Sequence, residues 1–577
     1  MTLKRLLRTK TLAFLLLARC VGTHVLLADP APVPTDLPWH VEQATDNMVR
    51  WTVRMSGFDP VKQVREGGPA LLSDMNHNVG RAIDGLLKGE TVTGKRTPPQ
   101  TLETLRSVLF ATLDNEAGFP AMYMADREKT VCSAHDVREA VQALLELGIR
   151  RGDQPALERL EKLLDTLLAI TDEQGAYRPQ VIARIPLLAA NSRPEDAGAL
   201  DGAAFSDDGD RVYTRGGSDG FNYPQATTVD RGRLIMALVQ VYQHTHNEQA
   251  LELARRFMHR VRSRSFSDEG QLLQDAGSHT HSVTGTVQGL AAYAVLTRDL
   301  DTLAHARKIF DVGLAASRSS FGWSDENVWR GRIVDRGEIN NTGDMIQTAI
   351  HLGQAGHPRY FEMAERMVRS HVLPSQWLHG QEYYPPEPAV KGVYKTFPAL
   401  AVGGWGFPGV TDRHIPRAGS DILDITQGGI QCLWAVHHHS VTHHSVTHHG
   451  PAVRVNMAFS RDTRAARVES HLPREGRVAV TLKQRASLWF RKPSWLTWDQ
   501  LTVTVAERPL PVIRVGVWAV TAMQDAGTQL DVTYPLVRRQ QQEWINRKRY
   551  RFVLEGDTIV AMSPRGIYAP MFAPLDD

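Results

Sequence analysis

The stretch "GEINNTGDMIQTAIHLGQAGHPRYFEMAERMVRSHVLPSQW" (337–377) decides the fold of this 577-residue chain. Apolar residues recur three and four positions apart over 339–356 and again over 358–373, which is the pattern of helices with one buried face. The short link "GQAGHPR" (353–359) makes the two helices antiparallel neighbours. The stretch therefore predicts a helical hairpin.

The same pattern predicts ten further helices, several of them joined by links as short as "THNEQ" (245–249). Their spans are about 42–56, 77–88, 101–114, 133–150, 154–172, 228–247, 248–265, 281–297, 299–318 and 420–437. Twelve helices in antiparallel pairs predict an (α/α)6 toroid, a double ring of six hairpins. The alternatives are an irregular helical domain and a solenoid of helix pairs, and the lack of a fixed repeat period argues against the solenoid.

After residue 450 the pattern changes to short, alternating segments such as "AVRVNMAF" (452–459) and "LTVTV" (501–505). This alternation predicts an antiparallel β-sandwich over 451–577, so the chain is mainly α with a C-terminal β domain. The toroid would occupy 29–450 as the catalytic domain. The tandem repeat "HHSVTHHSVTHH" (438–449) is interpreted as a duplication in a surface linker, with a metal site as the alternative.

The first 28 residues predict a secretory signal peptide, since a basic segment precedes two apolar runs that Arg19 separates. The protein is therefore expected to be exported, to the periplasm or the extracellular space. No later stretch reaches the roughly 18 apolar residues of a membrane span. The net charge is +3 and no basic block is interleaved with aromatic residues, so no nucleic-acid partner is predicted. Three cysteines are too few for a disulfide scaffold or a thiolate-rich zinc site.

Polar residues at the helix starts are the candidates for chemistry, because the inner helices of a toroid bring their ends to one face. Glu338 is the candidate general acid, since a carboxylic acid in a partly dry pocket holds its proton more tightly. Asp344 or Asp424 would be the second carboxylate, about 5–10 Å away across the scissile bond, and Asp230 is a third possibility. The alternative for each aspartate is a helix cap or a partner of the helix dipole.

His279 and His281 complete the predicted catalytic set. Two imidazoles at a helix start are poor caps, and they would position a sugar, move a proton or bind a metal. Further residues are expected to contact substrate, and the aromatic ones among them have a core position as the alternative. They are His135, Asp136, Tyr223, Asp230, Arg231, Asn340, Asn341 and Trp323.

Residues 337–377 resemble a characteristic segment of glycoside hydrolase family 127, which β-L-arabinofuranosidases typify. The "SHTHS" stretch (278–282) resembles the histidine-bearing helix start of that family, and segments of 455–572 resemble its β-sandwich. The resemblance covers roughly 220–577. It implies an (α/α)6 barrel with β-sandwich domains, in agreement with the helix count, and activity on a carbohydrate.

The resemblance also implies a catalytic centre that this chain lacks. In the family, a glutamate and three cysteines bind zinc, and one cysteine is the nucleophile. Glu338 matches the glutamate, but Asn340 stands where the first cysteine is expected, and Cys432 lies too far along to replace the others. The thiolate nucleophile and the zinc site therefore do not carry over. No cofactor is predicted, and a divalent metal stays open.

The leading hypothesis is an exported carbohydrate-active enzyme that hydrolyses glycosidic bonds in an oligo- or polysaccharide without a cysteine nucleophile. The first alternative is a polysaccharide lyase, with His135, His279 or Tyr223 as base and Arg231 facing a uronate carboxylate. The second is a non-catalytic glycan-binding protein of the same fold.

Overall fold

The computed structural model describes two large regions of the chain, one helical and one built of strands. The described residues are 35–55, 75–124, 129–132, 136–190, 203–205, 211–213, 227–328, 336–379, 401–414, 422–444 and 450–575. The predicted signal peptide lies outside them. Among the described residues, no helix combines the length and apolar character needed to cross a bilayer.

Twelve long helices occur among the described residues, close to the predicted spans. We number them α1 (Leu37–Met55), α2 (Met75–Thr93), α3 (Pro99–Leu113), α4 (Val137–Arg151), α5 (Gln154–Ile170), α6 (Ile235–Thr245), α7 (Glu248–Ser265), α8 (Thr280–Thr297), α9 (Leu300–Lys308), α10 (Ile339–Gln354), α11 (Arg359–Met367) and α12 (Ile422–Ser440). Short helical turns extend several of them: π-helices at Ile309–Gly313 and Val368–Val372, a 3₁₀ turn at Gly232–Leu234, and α-helical turns at Pro179–Ile182, Pro186–Ala190, Thr227–Asp230 and Leu373–Ser375.

Three of the hairpin links share one local design. Each first helix ends on a residue in the left-handed region, which turns the chain, and the next residue caps the second helix through its side chain. The left-handed residues are Gly152, His246 and Arg298. The caps are Asp153, Asn247 and Asp299, each accepting a hydrogen bond from a backbone N–H of its own helix. Short polar sequences therefore suffice to make antiparallel pairs.

The even-numbered helices pack side by side in order from α2 to α12, and α12 packs against α2. Each of these helices except α12 also packs against the next helix in sequence, while α1 packs against both α2 and α12. Apolar residues of both sets form one continuous core, in which α8 and α10 are buried along most of their length. The starts of α8 and α10 consequently lie close together.

The C-terminal strands form three sheets. The first contains β5 (Val441–His444), β6 (Ala452–Val455), β10 (Ser487–Arg491), β13 (Val512–Val515) and β14 (Trp518–Thr521). The second contains β7 (Arg461–Asp462), β8 (Ala466–Ser470), β9 (Arg477–Leu482), β11 (Thr502–Val505), β12 (Arg508–Pro509) and β15 (Gln529–Thr533). The third contains β16 (Arg538–Ile545), β17 (Lys548–Glu555), β18 (Thr558–Ser563) and β19 (Ala573–Pro574). Two short hairpins lie within the helical part: β1 (Ala121–Met124) with β2 (Lys129–Cys132), and β3 (Ala203–Phe205) with β4 (Arg211–Tyr213).

The pairing within these three sheets is antiparallel except for β6 with β10 and β18 with β19. Alternate apolar residues of the first two sheets, such as Val453 and Val480, share one core. The third sheet does not join that core. Its inner residues, such as Ile545 and Phe552, pack against Phe321 and Trp323 of the helical part.

The histidine repeat takes part in regular structure where it is described. His438 and His439 belong to the last turn of α12, while His443 and His444 belong to β5, which pairs with β6. The interpretation of this segment as a surface linker is therefore wrong for residues 438–444. The change from helix to sheet occurs at Ser440.

Candidate active site

Two helix starts bring the first predicted acid and the first predicted histidine together. His279 occupies the N-cap position of α8 and Glu338 that of α10. His279 Nε2 lies 3.6 Å from Glu338 Oε2. Because a cap residue precedes the first helical turn, its side chain projects from the helix end rather than into the packed helix face. The two residues therefore meet where α8 and α10 begin.

A third group, Glu326, reaches the same point on a loop. The Thr280 amide donates to the Glu326 carbonyl, and the Glu326 amide donates to the Arg336 carbonyl, both at 2.9 Å. These bonds hold the loop between the segments that lead into α8 and α10. His279, Glu326 and Glu338 each offer one ligand atom, and the three atoms lie within 4.8 Å of one another.

Each of the three side chains is also held by a neighbouring residue. His279 Nδ1 is 2.9 Å from Ser282 Oγ, and Asn340 Nδ2 donates to Glu338 Oε1 at 2.5 Å. Arg336 Nε lies 2.7 Å from Glu326 Oε2, and its Nη2 donates to Oε1 at 3.2 Å. Such contacts fix orientation before a ligand arrives, as a catalytic arrangement requires.

His281 and Asp344 form a buried layer behind these groups. His281 Nδ1 is 2.9 Å from Asp344 Oδ2, which also accepts from Thr284 Oγ1 at 2.8 Å. Arg81 Nη2 lies 3.1 Å from His281 Nε2. A guanidinium only donates, so Nε2 accepts and Nδ1 carries the hydrogen. Burial lowers the pKa of His281 well below its ordinary value, and the imidazole is neutral.

Burial raises the pKa of Asp344 to about 7, against the opposing effects of Arg138, Thr284 and Arg233. When Glu338 is ionised, its negative charge adds to the rise in the pKa of Asp344. Asp344 is therefore largely protonated at slightly acidic pH, and its carboxyl group is occupied with His281 and Thr284 rather than aimed into open space. Its position fits a supporting group better than the second carboxylate of the reaction.

Glu139 of α4 anchors the next layer. Its Oε1 accepts hydrogen bonds from Arg138, Arg233 and Arg81, the first two at 2.5 Å and the third at 3.3 Å. Burial alone would raise its pKa, but Arg138, Arg233, His77 and Arg81 hold the pKa of Glu139 well below its usual range. One buried anion thus ties α2, α4 and the turn before α6 together beneath the site.

The other predicted substrate contacts lie in different places. Asn341 donates to the Asp325 carbonyl at 3.3 Å, beside Glu326, and Asp136 lies at the start of α4, 3.6 Å from His77 Nδ1. Arg231 is fully buried, 3.4 Å from Asp230 and stacked on a tyrosine ring. No surface of that guanidinium is exposed to a uronate in this structure.

Trp323 is 1% exposed, and its indole N–H donates to the Pro408 carbonyl at 3.0 Å. The buried ring offers no face to a sugar, so the prediction of a stacking platform is wrong, and the residue packs between the helical part and the third sheet. His135 and Tyr223 lie outside the described residues. Asp424 falls within α12, but its side chain also lies outside them.

The donor set does not fit a thiolate-rich zinc site. Position 340 carries an amide instead of a thiol, and this amide donates a hydrogen bond to Glu338. Cys432 is buried, and burial together with Asp344 raises the pKa of its thiol, which disfavours the thiolate that a metal needs. Among the described residues, His279, Glu326 and Glu338 are the group with three possible metal ligands close together, all of them nitrogen or oxygen donors.

Sequence reasoning missed Glu326, Arg336 and Glu139. Glu326 follows no helix start, and its place depends on backbone bonds to two distant segments. A signal was present, since "SDEN" (324–327) puts two acidic residues between Trp323 and Trp329. Glu139 appeared to belong to an ordinary helix face, and its arginine partners come from three separate elements.

The architecture places the chain among proteins with a glycoside hydrolase fold. A GH127 beta-L-arabinofuranosidase from Geobacillus stearothermophilus T6 aligns with 92% of this chain and 85% of its own, with a TM-score of 0.56 and 11% identity. A second GH127 beta-arabinofuranosidase aligns with 92% of this chain and 84% of its own, with a TM-score of 0.58 and 13% identity. A further structure, described as a glycoside hydrolase, covers 84% of this chain and 79% of its own at a TM-score of 0.53 and 13% identity.

The predicted resemblance to family 127 is thereby confirmed at the level of the fold, which is what such low identities establish. No protein-family model and no curated protein sequence matches the chain.

Proposed function

We propose that this protein is an exported enzyme that hydrolyses a glycosidic bond in an oligo- or polysaccharide. The helical part is then the six-hairpin toroid of glycosidases, with the β-sandwich attached to it. The observation that carries the proposal is that Glu326, Glu338 and His279 each place one polar atom within 4.8 Å of the other two, where α8 and α10 begin. This set replaces the predicted pairing of Glu338 with Asp344 or Asp424.

Glu326 is the nucleophile and Glu338 the general acid of the proposed reaction. Two carboxylates this close do not both ionise readily, so they hold one proton between them. The paired Arg336 favours the charge on Glu326, which leaves the proton on Glu338. Glu338 then protonates the leaving glycosidic oxygen as general acid. Ionised Glu326 attacks the anomeric carbon, and the bond to the leaving oxygen breaks.

The spacing favours retention of anomeric configuration. Retaining glycosidases hold their two carboxyl groups about 5 Å apart, while inverting ones leave room for a water molecule at roughly 6.5–9.5 Å. One oxygen of Glu326 and one of Glu338 lie within 4.8 Å of each other, which is closer than the spacing that an intervening water molecule needs. In the second step Glu338 takes a proton from water while the water oxygen attacks the anomeric carbon, and the bond from that carbon to Glu326 breaks and frees the sugar. His279 lies beside Glu338 and positions a sugar hydroxyl.

The test begins with a panel of oligosaccharides and chromogenic glycosides, with product analysis to find a substrate. E326Q and E338Q are then compared with E103Q, a change at a glutamate whose side chain is 59% exposed on α3. Loss of the nucleophile or the acid is expected to lower kcat by roughly 100-fold or more, while E103Q keeps wild-type turnover. Wild-type activity in both site variants would refute the assignment.

The same panel separates the two alternatives. A lyase would release an unsaturated uronate that absorbs in the ultraviolet, whereas hydrolysis leaves no such chromophore. A non-catalytic glycan-binding protein would bind an oligosaccharide saturably in calorimetry and release no product.

A further inference from the structure

The hairpin of β16 and β17 in the third sheet contacts the loop that carries Glu326. β16 and β17 pair from Arg538↔Glu555 to Ile545↔Lys548, which leaves Asn546 and Arg547 as a two-residue turn. Both have positive φ, 46° and 65°. Two-residue turns of this kind match the twist of the strands and are well defined. The position of Asn546 is therefore set by the sheet.

Three contacts join this hairpin to the helical part. Asn546 Nδ2 donates to Asp325 Oδ2 at 2.6 Å. Glu543 accepts from the Ser320 backbone N–H and hydroxyl, at 3.0 Å and 2.7 Å to its nearer oxygens. Ile545 is buried in the cluster that contains Phe321. The hairpin end is thus attached to the loop on both sides of its apolar residues.

The Asp325 carboxylate connects Asn546 to the backbone next to Glu326. While its Oδ2 accepts from Asn546, its Oδ1 accepts from the backbone N–H of Asn327 at 2.9 Å. Glu326 lies between Asp325 and Asn327 in the chain. One carboxylate therefore holds the backbone on both sides of Glu326, and the Asn546 amide fixes that carboxylate with a charge-assisted bond.

We propose that Asn546 is a positioning residue, through which the third sheet holds Glu326 at its reacting distance from Glu338. The inference rests on the proposed function for its effect on turnover, and on geometry alone for its effect on the loop. An error of about 1 Å in the position of a reacting group lowers rates by roughly 100-fold. Turnover in the helical part consequently depends on a side chain more than 200 positions away in the β region.

N546G is the first variant, because glycine adopts positive φ freely and the substitution removes the side chain that carries the amide without straining the turn. R547G is its matched control at the neighbouring turn position. Hydrogen exchange in the full chain is expected to quicken roughly tenfold or more at residues 325–328 in N546G and to stay at the wild-type rate in R547G. Equal exchange in N546G and wild type would overturn the proposal. This measurement needs no substrate, so it remains informative if the proposed function fails.

A reciprocal exchange provides the second test. N546D sets two carboxylates against each other and is expected to lower kcat by roughly 10–100-fold with a smaller change in KM. In D325N/N546D the amide and the carboxylate change places, so the hydrogen bond returns and kcat recovers. Failure of the double variant to recover, with its thermal unfolding unchanged from wild type, would show that the bond does not position Glu326.

Discussion

Asp344→Asn tests the buried layer behind the site through the pH dependence of unfolding. The aspartate keeps its proton in the fold because burial raises its pKa to about 7, against an ordinary value of 3.8. In the unfolded chain the same carboxyl group loses its proton as the pH rises through 3.8. A group whose pKa is raised by folding stabilises the protein fully below the unfolded pKa. That stabilisation is lost as the pH rises from the unfolded to the folded pKa. Above the folded pKa the group makes no further change to the free energy of unfolding.

The magnitude follows from the two values. Within the window from 3.8 to about 7, the free energy of unfolding of the wild type falls by about 1.4 kcal/mol for each pH unit from this group alone. Between pH 5 and pH 7.5 the loss amounts to about 2.5 kcal/mol. In D344N the amide oxygen still accepts from Thr284 and His281 and nothing titrates. The variant should therefore gain about 2–3 kcal/mol on the wild type across this interval.

Urea unfolding at pH 5 and at pH 7.5 measures the effect, with D525N as the control. Asp525 is 87% exposed, so its replacement is expected to leave the difference between the two pH values unchanged. A D344N variant whose stability tracks the wild type at both pH values would refute the description of Asp344 as a protonated, buried group. A gain that grows only above pH 8 would refute it equally.

Three further outcomes follow from the same structure. R336M should lower kcat roughly 10–100-fold because Glu326 loses its positively charged partner, whereas R336K, which keeps a charge, should lose less; steady-state kinetics decide, and equal losses in the two variants would contradict the role of the charge at position 336. R491M leaves the carboxylates of Glu362 and Glu365 buried between α11 and β10 and should lower the free energy of unfolding in urea by about 3–5 kcal/mol, with E362Q and E365Q together restoring much of it. C432A should keep wild-type turnover, and loss of activity in this variant would show that the thiol takes part in the reaction. Iodoacetamide should label Cys432 only after denaturation, because the thiol is buried.

Local patterns determine much of the helical part. The hairpin links carry their own turning and capping residues, as Gly152 and Asp153 show, so helix ends are predictable to within a few positions. His279 and Glu338 are also predictable in this way, since each is the last residue before a helix. The two helix starts lie close together, and His279 Nε2 is 3.6 Å from Glu338 Oε2. For these two residues, position along the chain was sufficient to predict their meeting.

Non-local contacts determine the rest. Glu326 lies on a loop whose place depends on backbone bonds to the starts of α8 and α10 and on an asparagine of the third sheet. Trp323 is buried because that sheet packs over it, a contact between residues more than 200 positions apart. His281 and Asp344 face the interior because of the way α8 and α10 pack, which periodicity alone does not distinguish from a catalytic face.

Localisation of a trapped glycosyl group by mass spectrometry shows which side chain attacks the anomeric carbon. In an E338A variant with an activated glycoside of the identified sugar, the first step should proceed while release of the sugar is slow. A covalent sugar is expected on the peptide that contains Glu326. A label on the peptide of Asp344, Asp424 or Cys432, or turnover with inverted configuration and no label, would contradict it.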